Sequence, residues 1–342
     1  MTNNVINQYK YKVLGVFISL LITIFGQNAW GEDMNILQGN TRFKLAIEGH
    51  GIRYFVRVNG VIVFKEYQEK NQNAVEVPIN HLMHPETTTF SVSAGPKYAG
   101  DKFSATGGVK LTLIIEDRDS EASYRLPILT LDGSEVHKHR DIAGVLVPGH
   151  YHLGADNQVN FGKGELELGK ISKEEKNDDW FLYSREVTAP NKLPLWAFFN
   201  SDTLPDRSLM TKDELISLRK ELFVEYKKIQ DALAKGDVDS IMPLFAERSR
   251  EVDLAFDYPA GQINSEVRAF LLGKVNDSDW ELQIRKPEGV GAAVLLEKNR
   301  KIVSLVRNHQ SNLIGFVNIK NGMYSSLPLQ YRRENGKWII TR

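Results

Sequence analysis

The sequence predicts a two-domain protein: an N-terminal all-β domain, an antiparallel sandwich or barrel, followed by a C-terminal α+β domain. Three observations carry this reading. From Thr41 to about Pro190 the apolar residues alternate with period two. Pro190, Pro194 and Pro205 then punctuate the chain. After Thr211 the apolar spacing changes to three and four, the period of a helix. The expected boundaries are residues 1–31 for an export signal, 32–190 for the β domain, 191–207 for a linker and 208–342 for the α+β domain.

The first segment is read from its own chemistry. "MTNNVINQYKYK" carries Lys10 and Lys12 and no acid; Val13 to Phe25 is almost wholly apolar; Ala29-Trp30-Gly31 places small residues at a cleavage point. That order is the order of a secretory signal peptide, with cleavage expected after Gly31. The apolar run falls short of the ~20 residues that a spanning helix needs, so no stable membrane span is expected once it is removed. The chain has no cysteine, which excludes a disulfide framework, thiolate chemistry and a lipidated cysteine anchor. Without residues 1–31 there are 41 basic against 43 acidic side chains, a balance that does not point to nucleic acid. The expected location is the periplasm.

The β domain opens with "TRFKLAIE", where Phe43, Leu45 and Ile47 alternate with Arg42, Lys44 and Glu48. "IRYFVRVNGVIVF" reads as a hairpin, because Asn59-Gly60 supplies the positive φ angles of a type I′ turn. "AVEVPI", "TTFSVSA", "VKLTLIIED", "SYRLPILTL", "GELELGKI" and "DWFLYSREV" continue the alternation. In "NKLPLWAFFNSDTLP", the aromatic group Trp196, Phe198 and Phe199 has two readings, an exposed partner site or a plug between the domains. The scarcity of large exposed apolar patches on soluble proteins favours the plug.

Thr211-Lys-Asp-Glu214 is a capping box, and Leu215, Leu218, Leu222, Tyr226, Ile229 and Leu233 form one apolar stripe of the helix behind it. Lys235 and Gly236 close that helix. Shorter helical patterns follow at about 239–256 and 263–273. The strands "WELQIR", "AAVLLEK", "KIVSLVR", "LIGFVNIK", "SSLPLQYRR" and "KWIITR" come next, the last pair turned at Glu334-Asn-Gly-Lys337.

"ALAKGDVDSIMPLF" and "YRRENGKWIITR" resemble the NTF2-like (SnoaL-like) family over roughly 208–342. The resemblance implies a cone, with helices packed into one curved antiparallel sheet. In enzymes of that family an apolar cavity holds carboxylates and tyrosines. The residues here that could line such a ligand pocket are Asp253, Asp257, Tyr258, His309 and Tyr324.

Four of the eight histidines fall in "HKHRDIAGVLVPGHYH", as the pairs His137/His139 and His150/His152. Two imidazoles two apart on a strand share a face, the start of a metal site. Gly144, Pro148, Gly149 and Gly154 instead mark turns, and Lys138 and Arg140 repel a cation. A solvated loop is the stronger reading; a metal site is the alternative. "GPKYAGDKF" has a phosphate loop's glycines but Asp101 and Phe103 where lysine and a hydroxyl are required. No serine-hydrolase elbow or metalloprotease helix is present either, and no cofactor is called for.

The layout, a signal peptide before a β domain and an α+β domain, resembles periplasmic immunity proteins that protect bacteria from secreted antibacterial effectors, type VI phospholipases and cell-wall hydrolases among them. It implies a non-enzymatic binding protein with a protein partner, a secreted toxin. Contact is expected from Trp196, Phe198 and Phe199 and from the hairpin residues Asn59, Asn299 and Arg300. The second reading is an NTF2-like enzyme or small-ligand binder with an auxiliary β domain.

Overall fold

A computed structural model describes residues 40–67, 72–96, 106–119, 123–133, 158–160, 165–177, 180–284, 292–307 and 312–342. They belong to one compact unit, Met34–Arg342. The described chain is mostly β, with four antiparallel sheets and three α-helices.

Ten strands come first: β1 (Thr41–His50), β2 (Arg53–Val58), β3 (Val61–Glu66), β4 (Gln72–Pro78), β5 (Thr87–Gly95), β6 (Gly108–Asp117), β7 (Ser123–Asp132), β8 (Gln158–Asn160), β9 (Glu165–Asn177) and β10 (Trp180–Thr188). They form a four-stranded sheet, β4-β1-β6-β7, and a six-stranded sheet, β3-β2-β5-β10-β9-β8. The alternating side chains Phe43, Leu45 and Ile47 of β1 and Tyr54, Val56 and Val58 of β2 meet in one core between the two sheets. Asn59 and Gly60 both take positive φ, 48° and 78°, and make the tight β2–β3 turn.

Three helices follow: α1 (Lys212–Ala234), α2 (Met242–Phe256) and α3 (Gln262–Val275). Thr211 accepts from the Glu214 N–H while Glu214 accepts from the Thr211 N–H, the reciprocal cap that starts α1. Leu218, Leu222, Tyr226, Ile229 and Leu233 are the buried stripe and form the second core. Its other wall is β11 (Trp280–Ile284), β12 (Ala293–Leu296), β13 (Ile302–Val306), β14 (Ile314–Asn318), β15 (Tyr324–Leu327), β16 (Tyr331–Glu334) and β17 (Lys337–Ile340).

These seven strands correct the expected fold class. They do not make the single curved sheet of an NTF2-like cone; they divide into a three-stranded sheet, β11-β14-β15, and a four-stranded sheet, β12-β13-β16-β17. The stretch "SSLPLQYRR", read as one strand, is cut at Pro328, with β15 in one sheet and β16 in the other. Proline has no N–H for a ladder, so a central strand cannot run through it. Among the described residues an isolated bridge, Val306 to Asn312, links the end of β13 to the start of β14.

The segment 191–207 lies against both cores. Trp196 and Phe198 are buried in the sandwich core, and the Trp196 indole N–H donates to the Asn80 carbonyl at 2.9 Å. Leu204 is buried in the second core. Ala255 of α2 and Ile302 of β13 are themselves part of the sandwich core.

Candidate functional site

The seam where the sandwich meets the helical half holds three buried charged residues, Glu251, Glu297 and Arg332. In α2, Glu251 accepts from the Ala197 N–H and from Arg342 Nη1, both at 2.7 Å. Arg342 also donates to the His81 carbonyl at 2.6 Å, and its guanidinium lies 4.9 Å from the Phe198 ring centre. Glu247 holds the buried Arg332 guanidinium in a forked pair at 2.8 and 2.9 Å. Burial first, then the positive charges of Arg342 and Arg248, push the His81 pKa down to about 3.

A second contact lies at the β2–β3 hairpin. Gly60 packs on Asn299 so closely that a Cβ there would stand 2.5 Å from the Asn299 nitrogen. The Lys298 N–H donates to the Gly60 carbonyl at 3.1 Å. A bulge after Val56 shifts the β2–β3 register. The Ile62 N–H there donates to Glu297 Oε2 at 3.3 Å. Glu297 is 3 % exposed. Burial raises its pKa against the opposing pull of Arg57 and Lys65.

This geometry places the sequence-derived partner residues. Trp196 and Phe198 are core side chains and cannot meet a partner without unfolding the seam; Phe199 packs edge-on against His84 with ring centres 5.1 Å apart. They act as the plug. Asn59 is fixed inward, its amide donating to the Leu82 carbonyl at 2.7 Å and accepting from the Thr89 N–H at 2.9 Å. Asn299 holds the Lys301 N–H at 3.0 Å, and the Arg300 carbonyl accepts from Leu204 at 2.7 Å. The two hairpin turns expected to reach outward meet each other instead.

The described members of the pocket set each have surroundings of their own. Asp253 is buried and accepts from the Gly261 and Ile263 N–H groups at 2.8 and 3.0 Å, so it caps α3. Asp257 is left-handed at the end of α2 and pairs with Arg118 at 3.3 Å. Tyr258 is exposed beside Phe256. Tyr324 is exposed on the three-stranded sheet, paired with Val317. His309, and His137, His139, His150 and His152 with them, lie outside the described residues, as do residues 1–39. Among the described residues no group of three or more His, Asp or Glu converges on a metal position.

Two surfaces not singled out by the sequence are open. One is a groove of about 570 Å³ at the end of the β4-β1-β6-β7 sheet. In-register rows line it: Ala74, Glu48, Lys110 and Thr130, then Gln72, His50, Gly108 and Asp132. Glu48 and Lys110 pair at 3.7 Å.

The other surface is the face of β11-β14-β15 opposite α3. Phe316 on the inner face meets Phe270 of α3 edge-on at 6.5 Å. On the outer face Glu281, Val317 and Tyr324 stand in register. The Tyr324 ring lies across Gly315, where a Cβ would come within 2.4 Å of its hydroxyl. The turn beside it exposes Ile319 by 62 % and Met323 by 58 %, next to Tyr324 at 45 %. Lys320 and Asp279 pair at 2.6 Å on its rim. Sequence reasoning had a signal for this face, the alternation in "LIGFVNIK", but could not say which side the helices would leave uncovered.

No helix of the described residues is long and apolar enough to cross a membrane. No protein-family model, curated protein or solved structure matches this chain.

Proposed function

We propose that this chain is an exported binding protein that works by occupying the surface of a protein partner, and that it serves as an immunity protein against a secreted antibacterial effector. The observation that supports the reading best is the outer face of β11-β14-β15. Soluble proteins seldom leave several large apolar side chains exposed in one short segment, and Ile319, Met323 and Tyr324 are each exposed on one turn and the strand that leaves it. Tyrosine and methionine are enriched at the centre of protein interfaces, where a polar rim excludes water around them. Glu281 and the Lys320–Asp279 pair supply such a rim. The β-strand scaffold behind the face presents it without a large ordering cost. The export half of the proposal stands on Lys10, Lys12 and the apolar run to Phe25, and places the mature start at Glu32.

The test is a competition between sibling cells. Deleting the gene should sensitise cells to their siblings, and periplasmic expression of the wild-type chain should restore resistance. Ile319→Lys with Met323→Lys changes exposed side chains only; it should leave the melting temperature unchanged and fail to protect. Unchanged competition after deletion would refute the immunity role. Full protection by the folded double variant would refute the face.

A further inference from the structure

The two seam contacts carry titratable groups whose environments act on them in opposite senses. The first contact is the 3-10 turn Asn80–Leu82 against α2. There His81 packs on Phe256 with ring centres 5.4 Å apart, and it faces Arg248 of α2 and Arg342 beyond β17, the arginine whose other partner is Glu251. The Nδ1 atom of His81 has no hydrogen-bond partner. The second contact is the turn 297–301 against the β2–β3 hairpin. There Glu297 faces Arg57 of β2 and Lys65 of β3, accepts from the Ile62 N–H, and takes a 3.4 Å bond from Gln330 before β16. One side chain, Asn59, ties the contacts together on the sandwich side, since it sits at the hairpin turn and holds the Leu82 carbonyl.

We propose that this seam is proton-balanced: acidification loosens the His81 contact and tightens the Glu297 contact, so that cohesion passes from one to the other. The signs follow from linkage applied to local opening. Closed, His81 is held neutral among arginines; opened to water, it regains an ordinary imidazole pKa of about 6.5 and takes up a proton in mild acid. Opening of that contact is therefore favoured as pH falls below about 6.5. Glu297 does the reverse. Its carboxyl binds a proton more readily when closed than when opened, so closure gains as pH falls toward the ordinary glutamate range. The bulge that turns the Ile62 N–H toward Glu297 and the burial of the carboxylate place this second group in the contact itself. The inference is independent of what the outer face of β11-β14-β15 binds.

Hydrogen–deuterium exchange on the full chain at pH 7.5 and pH 5, corrected for the intrinsic exchange rate, tests it. Peptides covering 79–83 and 196–201 should open about 30-fold more often at pH 5, the ratio set by an imidazole released from a pKa near 3 to one of about 6.5. Peptides covering 60–64 and 297–303 should open less often. His81→Gln should remove the first response alone, and Glu297→Gln the second alone. If both regions of the wild type move in the same direction, or if either stays constant, the proposal fails. That result is read on the unaltered protein, so a poorly folding variant cannot rescue the idea.

Discussion

Replacing Glu251 with alanine should be among the most damaging single changes this protein can suffer. Its carboxylate and the Arg342 guanidinium are 8 % and 7 % exposed and lie 2.7 Å apart. Deleting the acid leaves a buried arginine without its counter-charge, a loss of about 3–5 kcal/mol. The Ala197 N–H loses its acceptor in the same step, and the 3-10 turn that carries Phe198 into the core loses its tether. By contrast, the exposed Lys227–Asp231 pair on α1 contributes only about 0.3–0.5 kcal/mol. Urea unfolding of wild type, Glu251→Ala, Glu251→Gln and Asp231→Ala measures the difference directly. Glu251→Gln keeps an acceptor for Ala197 and should fall between the extremes. The double change Glu251→Leu with Arg342→Met removes both charges at once and should recover much of the loss, since apolar replacements of a buried pair are often tolerated. The reasoning is refuted if Glu251→Ala costs no more than Asp231→Ala, or if the double variant loses as much as its two single changes combined.

Three further outcomes are expected. The folded pKa of His81 lies near 3, below the unfolded value, so its stabilising contribution is complete above about pH 6.5 and is lost as pH falls toward 3. Between pH 7 and 5 wild type should therefore lose about 2 kcal/mol more than His81→Gln, and parallel pH curves for the two would contradict this. Asp253→Ala strands two N–H groups at the start of α3 and should cost about 2–3 kcal/mol by chemical unfolding, with Asp253→Asn milder; no measurable change would show that the cap is dispensable. A Cβ at Gly49 would stand 2.3 Å from the buried Tyr54 hydroxyl, so Gly49→Ala should destabilise by about 1–3 kcal/mol, and adding Tyr54→Leu should relieve part of the strain; an unchanged melting temperature for Gly49→Ala would refute the close approach.

Read alone, the sequence determined what depends on neighbours along the chain. The alternation of Phe43, Leu45 and Ile47 marks β1 because side chains two apart share a face. Thr211 and Glu214 start α1 because a capping box closes within four residues. Asn59-Gly60 turns its hairpin because both residues tolerate positive φ. What only the tertiary structure decided depends on partners far along the chain. The single cone failed because Pro328 interrupts a ladder whose other strands lie elsewhere, a consequence that a stretch legible as one strand does not itself reveal. Asp253 and Asp257, four apart and chemically alike, are equivalent candidates for pocket carboxylates by sequence. One is instead buried against backbone N–H groups of the next helix, and the other reaches out to Arg118. Glu297, Glu251, His81 and Arg342 carry no motif at all. Their chemistry arises from burial and from each other's charge, across separations as long as the 261 residues between His81 and Arg342. Local pattern reports which face of a strand or helix is apolar. Which apolar faces find each other, and which one is left open around Tyr324, is set by packing the whole chain at once.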